Sequence, residues 1–335
     1  MRLAMNIPEE HLQLATTHFD YPYTRREAIF LWLVTAHSGH FLLRQFRHFA
    51  GVKVGKAQQL LGDKIICNRH GIAYGYGPRG PFERHRYHVM HRRLYRIFDR
   101  ENANYRKDAY NHLIDIRLLA LDYVIDHQDA DYLLTEADRI AYFREHHGVA
   151  DPALLPQRRF AGRRIQAPAS AVYFPDRFPL GVTPEGIVFT YIDHPQDSLA
   201  PLRTHVKLHR RLFRALRSPW SFVFVSGDRY KARDAERVFR DTLDYLDGAL
   251  ANLDSELLRH FAIEDRWERK DVAGFTKDDY AEMGRLRNKF YGPRYRALYE
   301  RWRDRRNAEH AGAPTAPAFP PSFSAYEPPT WRLIR

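Results

Sequence analysis

A mixed α+β and α/β chain is what the sequence predicts: a small helical module closed by a β-hairpin, then an α/β domain, then C-terminal helices. Three observations predict it. Helical stripes punctuated by glycine fill residues 24–64, two alternating segments flank a Gly/Pro loop over residues 72–89, and strand-like and helix-like segments alternate after residue 170.

Thr24 to about His37 reads as a first helix, because Ile29, Phe30, Leu33 and Val34 recur at helical spacing and Ser38-Gly39 breaks the run. A second helix is predicted over about His40 to Ala50, with Phe41, Leu42, Gln45, Phe46 and Phe49 inward and Gly51 as its stop. The third, about Lys53 to Lys64, gathers Val54, Ala57, Leu60 and Leu61 on one side and leaves Lys56 and Gln59 outside. Ile72 to Tyr76 and Arg84 to Val89 then alternate as strands around Gly77-Pro78-Arg79-Gly80-Pro81, with Arg79 at the tip.

Helices and hairpin in that order make a winged helix-turn-helix, whose third helix lies in the major groove of double-stranded DNA. Glutamine can read adenine edges there, and lysine serves phosphate or guanine. Lys53, Lys56, Gln58, Gln59, Arg79, Arg84, Arg86, Arg92 and Arg93 are therefore the expected DNA contacts. His85, His88 and His91, around the end of the second strand, are expected to face phosphate or solvent. Gly75, Gly77 and Gly80 spell a dinucleotide fingerprint, but Pro78 and Pro81 remove backbone donors and a strand follows where a helix is required. No cofactor is implied.

Charge distribution agrees. Residues 1–110 carry 18 Lys and Arg against 9 Asp and Glu, so three quarters of the net charge of +12 sits in the first third of the chain. Arg96, Arg100, Arg106 and Lys107 extend this basic surface along a connecting helix.

With 335 residues and 44% hydrophobic content the chain can bury two cores. Its longest apolar run, Ala28 to Val34, is far short of the roughly 20 residues that span a bilayer, and residues 1–10 lack a secretory apolar stretch. Cys67 is the single cysteine, so no intrachain disulfide forms and a reducing cytoplasm fits. Beside Ile65 and Ile66 it reads as a buried thiol. His205 and His209 are a lone i, i+4 pair, and with no third ligand in sight no metal site is expected.

Asp108 to about Asp126 predicts a long helix with a wide apolar stripe, able to pack on the second domain or on another subunit. Asp131 to Leu134 reads as a strand, Thr135 caps a helix that Gly148 ends, and Pro152 to Ala169 reads as a polar loop. Strands over Ala171–Phe174 and Ile187–Ile192, a helix over Leu199–Leu216, a strand over Ser221–Val225 and a helix over Ala232–Ala251 imply a crossover between parallel strands. Helices near Lys277–Phe290 and Pro293–Asn307 follow. The tail, Gly312 to Pro329, reads as disordered or as an extended arm whose Phe319, Phe323, Tyr326 and nearby Trp331 could dock on a partner. Composition thus divides the chain into a winged-helix module with basic connector (1–107), an α/β domain (108–310) and a Pro-rich tail (311–335).

The segments Phe174 to Leu180, Gly186 to Asp193 and Trp220 to Val225, with the helix between the last two, resemble the replication-relaxation family. These are winged-helix proteins of plasmids and other mobile elements whose second half looks like a restriction-endonuclease core. The resemblance implies a nuclease skeleton in which an Asp and an acid-x-Lys element hold Mg²⁺. Pro175-Asp176 matches the first element, whereas the strand Val188 to Asp193 has no acid-x-Lys triplet. Asp193 and Lys207 are the displaced candidates, and the core is read as degenerate.

The sequence therefore points to a non-enzymatic double-stranded DNA-binding protein of a mobile element, acting in replication, transfer or transcriptional control. A homodimer on two half-sites would suit it. Two alternatives stay open: a metal-dependent nuclease with displaced residues, and an adaptor recruiting protein partners through the α/β domain and tail.

Overall fold

Thr24 sets the start of the first long helix by a reciprocal cap. Its amide donates to Glu27 Oε2 at 2.7 Å and its hydroxyl accepts from the Glu27 amide, which satisfies donors that a helix N-terminus leaves orphaned. In the computed structural model the described residues are 7–17, 23–53, 56–74, 85–160, 170–251, 253–271, 273–310 and 321–328. Contacts divide the chain into two compact units, Met1–Glu236 with Phe319–Arg335, and Arg237–Ala318, so the division falls neither at 107 nor at 310.

The first unit opens with α1 (Glu9–Thr17), α2 (Arg25–His37), strand β1 (His40–Leu42), α3 (Leu43–Ala50), α4 (Lys56–Cys67), β2 (Gly71–Tyr74) and β3 (Arg86–Val89). The order β1-β3-β2 makes an antiparallel sheet. His40, Phe41 and Leu42 are thus a strand and not the first turn of a helix. Gly39, at φ +73°, turns the chain, Phe41 stacks on Tyr87 at 5.1 Å, and the Gln45 side chain accepts from the Leu42 amide to start α3 only there. A short apolar run does not declare its own period, and pairing with β3 decides it. Gly51, left-handed at φ +62°, ends α3 as expected. The third helix starts at Lys56 rather than Lys53, and its buried stripe is Leu61 and Ile65, with Leu60 half exposed.

Next come α5 (Arg92–Ile97), a single 3₁₀ turn (Asn104–Arg106) and α6 (Asn111–Asp126), so the basic connector is one short helix and a coil. Then follow β4 (Asp131–Tyr132), α7 (Glu136–His147), β5 (Gln157–Phe160), β6 (Ser170–Tyr173), β7 (Leu180–Thr183), β8 (Gly186–Asp193), α8 (Ala200–Ala215), β9 (Trp220–Ser226) and α9 (Ala232–Ala251), the last running on into the second unit. Part of the expected polar loop is therefore β5, paired with β6. The five-stranded sheet runs β4-β7-β8-β9-β10, where β10 (Ser322–Tyr326) is the tail strand. Neighbours β4, β7 and β8 are antiparallel, while β8, β9 and β10 are parallel, with α8 as the crossover.

Strand alternation assigns the two faces of this sheet. Ile192, Val223 and Val225 join Leu118, Leu121 and Val124 of α6 and the apolar face of α2 in one core. Phe189, Tyr191, Phe222 and Phe224 face the other way, where rings of His205 and Phe213 on α8 meet them.

Helix α6 is tied to the N-terminal module by two buried ion pairs from one face, two turns apart. Asp122 takes both terminal nitrogens of Arg44 at 2.9 Å, and Asp115 takes Arg86 at 2.5 Å.

Two buried histidines in this module make it acid-sensitive. Burial, with Arg100 and Arg139 nearby, pushes His37 down to about 3. Burial, the stacked His88 ring at 4.1 Å, Arg117 and Arg86 push His40 down to about 3 against the favourable Ser38 carbonyl. An unfolded histidine takes its proton near pH 6.5 while these two stay neutral in the fold, so stability falls as pH drops from 6.5 toward 3. Each should cost about 1.4 kcal/mol by pH 5.5. Urea midpoints at pH 7.5 and 5.5 measure it, and an unchanged midpoint contradicts it.

The second unit contains α10 (Ser255–Glu268), α11 (Lys277–Lys289) and α12 (Pro293–His310), of which α10 has no counterpart in the sequence reading. They pack on Phe261, Leu286, Leu298 and Tyr299, and Glu256 and Glu264 of α10 pair with Arg285 and Arg287 of α11. Among the described residues no helix is long and apolar enough to cross a membrane.

Candidate nucleic-acid interface

The expected DNA contacts fall into three groups. Lys53 is exposed just ahead of α4, and Arg92 and Arg93 are exposed in the first turn of α5, where Arg92 lies 3.6 Å and Arg96 2.9 Å from Glu101. Lys56, Gln58 and Gln59 lie in the first turn of α4, but their side chains are outside the described residues, as are Arg79 and Arg84 of the hairpin loop.

Arg86 is the exception. Only 3% exposed, it pairs with Asp115 and lies 3.4 Å from the Asn111 amide oxygen, so it is withdrawn from the surface. His88 is corrected for the same reason: it is buried, stacked on His40 and bonded to the Tyr105 carbonyl at 3.2 Å, while His85 and His91 are half-buried. Both faces of β3 are covered, which one alternating strand read alone does not reveal. Cys67 is corrected the other way. It ends α4 on the outer face beside exposed Ile66 and is itself exposed. Lys64 anchors α4 to the capped end of α2 through Glu27 at 2.7 Å.

No family model, curated protein or solved structure matches this chain. The carboxylates of the sheet are therefore read from their own surroundings.

Asp176 lies just ahead of β7. Its Oδ2 is 2.7 Å from His205 Nδ1, and Arg158 donates to Oδ1 at 3.3 Å. Burial works to raise this carboxyl, and the hydrogen bond from His205, with the charges of His205 and Arg158, outweighs it and holds the group below the usual range. His209 donates Nδ1–H to the His205 carbonyl at 2.9 Å and is kept neutral by burial.

Asp193 ends β8 and is 1% exposed; Ser226 donates to its Oδ2 at 3.0 Å, as does Lys231 Nζ at 3.0 Å. Burial raises its carboxyl despite both donors. Lys207 does not reach it. The inward positions of α8 are His205 and His209, and a residue two places from each points outward, as Lys207 does. The lysine at Asp193 is Lys231, from the loop after β9, whose position in sequence carries no signal of this contact.

At the same strand ends, His112, His194 and Asp197 bring three donor atoms within 4.8 Å of one another, the grouping among the described residues able to hold a metal ion. His112 Nε2 is 2.9 Å from both Asp197 oxygens, and Asp115 lies 3.4 Å from His194. Separated by 82 residues, His112 and His194 could not be joined by a spacing argument.

Proposed function

We propose that this chain is a non-enzymatic double-stranded DNA-binding protein, docking α4 in the major groove and the β2–β3 hairpin beside it. The order α2, β1, α3, α4, β2, β3 with sheet order β1-β3-β2 is the observation that carries this reading, because it is the arrangement a winged helix needs. The cationic balance of residues 1–110 supports it. Arg86 leaves the contact set; Lys53, Lys56, Gln58, Gln59, Arg79, Arg84, Arg92 and Arg93 remain in it. On this proposal two copies occupy a two-fold site, and the setting is replication, transfer or transcription of a mobile element, as the family resemblance implies.

The mixed sheet with its α8 crossover suits the nuclease-like skeleton of that resemblance. Cleavage is not part of the proposal. Asp176 is engaged by His205 and Arg158, Asp193 by Ser226 and Lys231, and β8 carries no acid-x-Lys triplet. The adaptor alternative loses two of its docking aromatics, since Phe323 and Tyr326 belong to β10 and pack on this chain's own sheet and α6; Phe319 and Trp331 lie outside the described residues.

Fluorescence anisotropy with a labelled random duplex, titrated with salt, tests the reading. Binding should weaken as salt rises, and Lys53→Ala and Lys56→Ala should each flatten the log K against log salt slope by about 0.9, one phosphate contact apiece. Arg285→Ala, in the second unit, should leave the slope unchanged. Absence of binding in low salt, or equal slopes for all variants, overturns the proposal.

A further inference from the structure

A cavity of about 390 Å³ lies in the first unit between α2, the Asp99–Tyr105 segment, the start of α7 and the turn between β6 and β7. That volume is within the roughly 300–1,000 Å³ of small-molecule sites. Three arginines line it: Arg100, Arg139 and Arg177. Among the described residues none of them is ion-paired, although Arg139 is only 7% exposed and a buried charge ordinarily has an opposite charge beside it.

The groups they touch directly are uncharged. Arg139 donates to the Leu133 and Phe178 carbonyls at 3.0 and 2.8 Å, Arg100 lies over the Trp32 ring at 4.9 Å, and the Asn104 amide oxygen meets Arg177. Arg100 Nε is buried without a partner. Burial pushes Arg139 down to about 10 and lowers Arg100. Four carboxylates stand near, and three are engaged elsewhere: Glu101 by Arg96 and Arg92, Glu136 by the Tyr173 amide, and Asp138 by the Thr135 amide; Asp99 is exposed.

The backbone around the cavity is strained as well. Asp99, Phe174 and Arg177 all have left-handed φ, of 54°, 48° and 53°, a conformation that bulky residues adopt at a cost and that clusters at ligand sites.

We propose that this cavity binds a phosphate-bearing small molecule of nucleotide size, its phosphate held among Arg100, Arg139 and Arg177. Guanidinium groups present forked donors that match phosphate oxygens, and an anion supplies the directly paired charge that none of the three has among the described residues. Tyr105 and Tyr173, with the Asn102 and Asn104 amides, offer the ring faces and hydrogen-bonding groups a base would meet. The site does not depend on the DNA reading.

Inorganic phosphate, pyrophosphate and the four ribonucleoside 5′-monophosphates, each added to the full chain without DNA, test it by thermal melting and calorimetric titration. At about 100 times Kd, one of them should raise the melting midpoint by about 5–10 °C. Arg177→Gln, on the exposed side, and Arg100→Gln should weaken that ligand about tenfold or more, while Lys53→Ala should not. A response to a nucleotide but not to pyrophosphate or phosphate identifies a base-reading site, and a response to all identifies a phosphate site. Shifts no larger than those of sodium chloride at equal ionic strength, or affinity retained in Arg177→Gln, overturn the proposal.

Discussion

Asp122→Ala should destabilise the first unit by about 3–5 kcal/mol and abolish duplex binding as a consequence of unfolding. Asp122 and Arg44 are 6% and 4% exposed in their side chains, and the carboxylate receives two bonds from Arg44 and one from Gln45 Nε2 at 3.0 Å. Removing it takes away the carboxylate that holds both terminal nitrogens of a guanidinium buried against α6, and the penalty comes more from that lost compensation than from the worth of the bonds. The double variant Arg44→Met/Asp122→Leu removes both charges, fills similar volume and should recover most of the loss. Urea midpoints of wild type, both single variants and the double give the cycle. An Asp122→Ala loss below about 1 kcal/mol, or a double variant as weak as the single, would show that the pair does not pin α3 to α6.

That pair also explains how far the fold could be read from the chain. Local signals served well: Thr24 and Thr135 cap α2 and α7, Gly51 and Gly148 stop α3 and α7 in the left-handed conformation, and α8 with β9 follows its periodicity. What depends on distant partners was not legible. Strand β1 exists because β3 lies beside it, and β7 is four residues after a proline, too short to announce a period. Charge counting overstated the free cations: a line drawn at residue 110 separates Arg44 and Arg86 from Asp122 and Asp115, their buried partners. Two of the cations counted toward a DNA-facing surface are thus neutralised inside the molecule. His112 with His194 is likewise assembled by α6 and the end of β8, and Arg100 with Arg139 and Arg177 by α7 and two loops, and not by spacing.

A chain ending at residue 310 should associate beyond whatever state the full chain holds, because the tail supplies an edge to the sheet. Composition alone presents the tail as disordered or as an extended arm, yet Ser322–Tyr326 pairs in parallel with Ser221–Val225 along the whole of β10. Phe323 stacks on Phe222 at 6.0 Å, and Tyr326 packs on Tyr123 and His127 while its hydroxyl donates to Asp126. Without β10, the row of backbone donors and acceptors on β9 is unpaired and flanked by Phe222, Val223, Phe224 and Val225, the kind of long apolar edge that recruits another strand. Size-exclusion chromatography across a concentration series should show the truncated chain associating where the full chain does not change. Tyr326→Phe keeps the strand and removes one hydrogen bond, so it should cost only about 1 kcal/mol and leave the elution position unaltered. A truncated chain that elutes as the full chain does, at every concentration, would mean that β9 does not need this neighbour, and would restore the tail as an arm available to a partner.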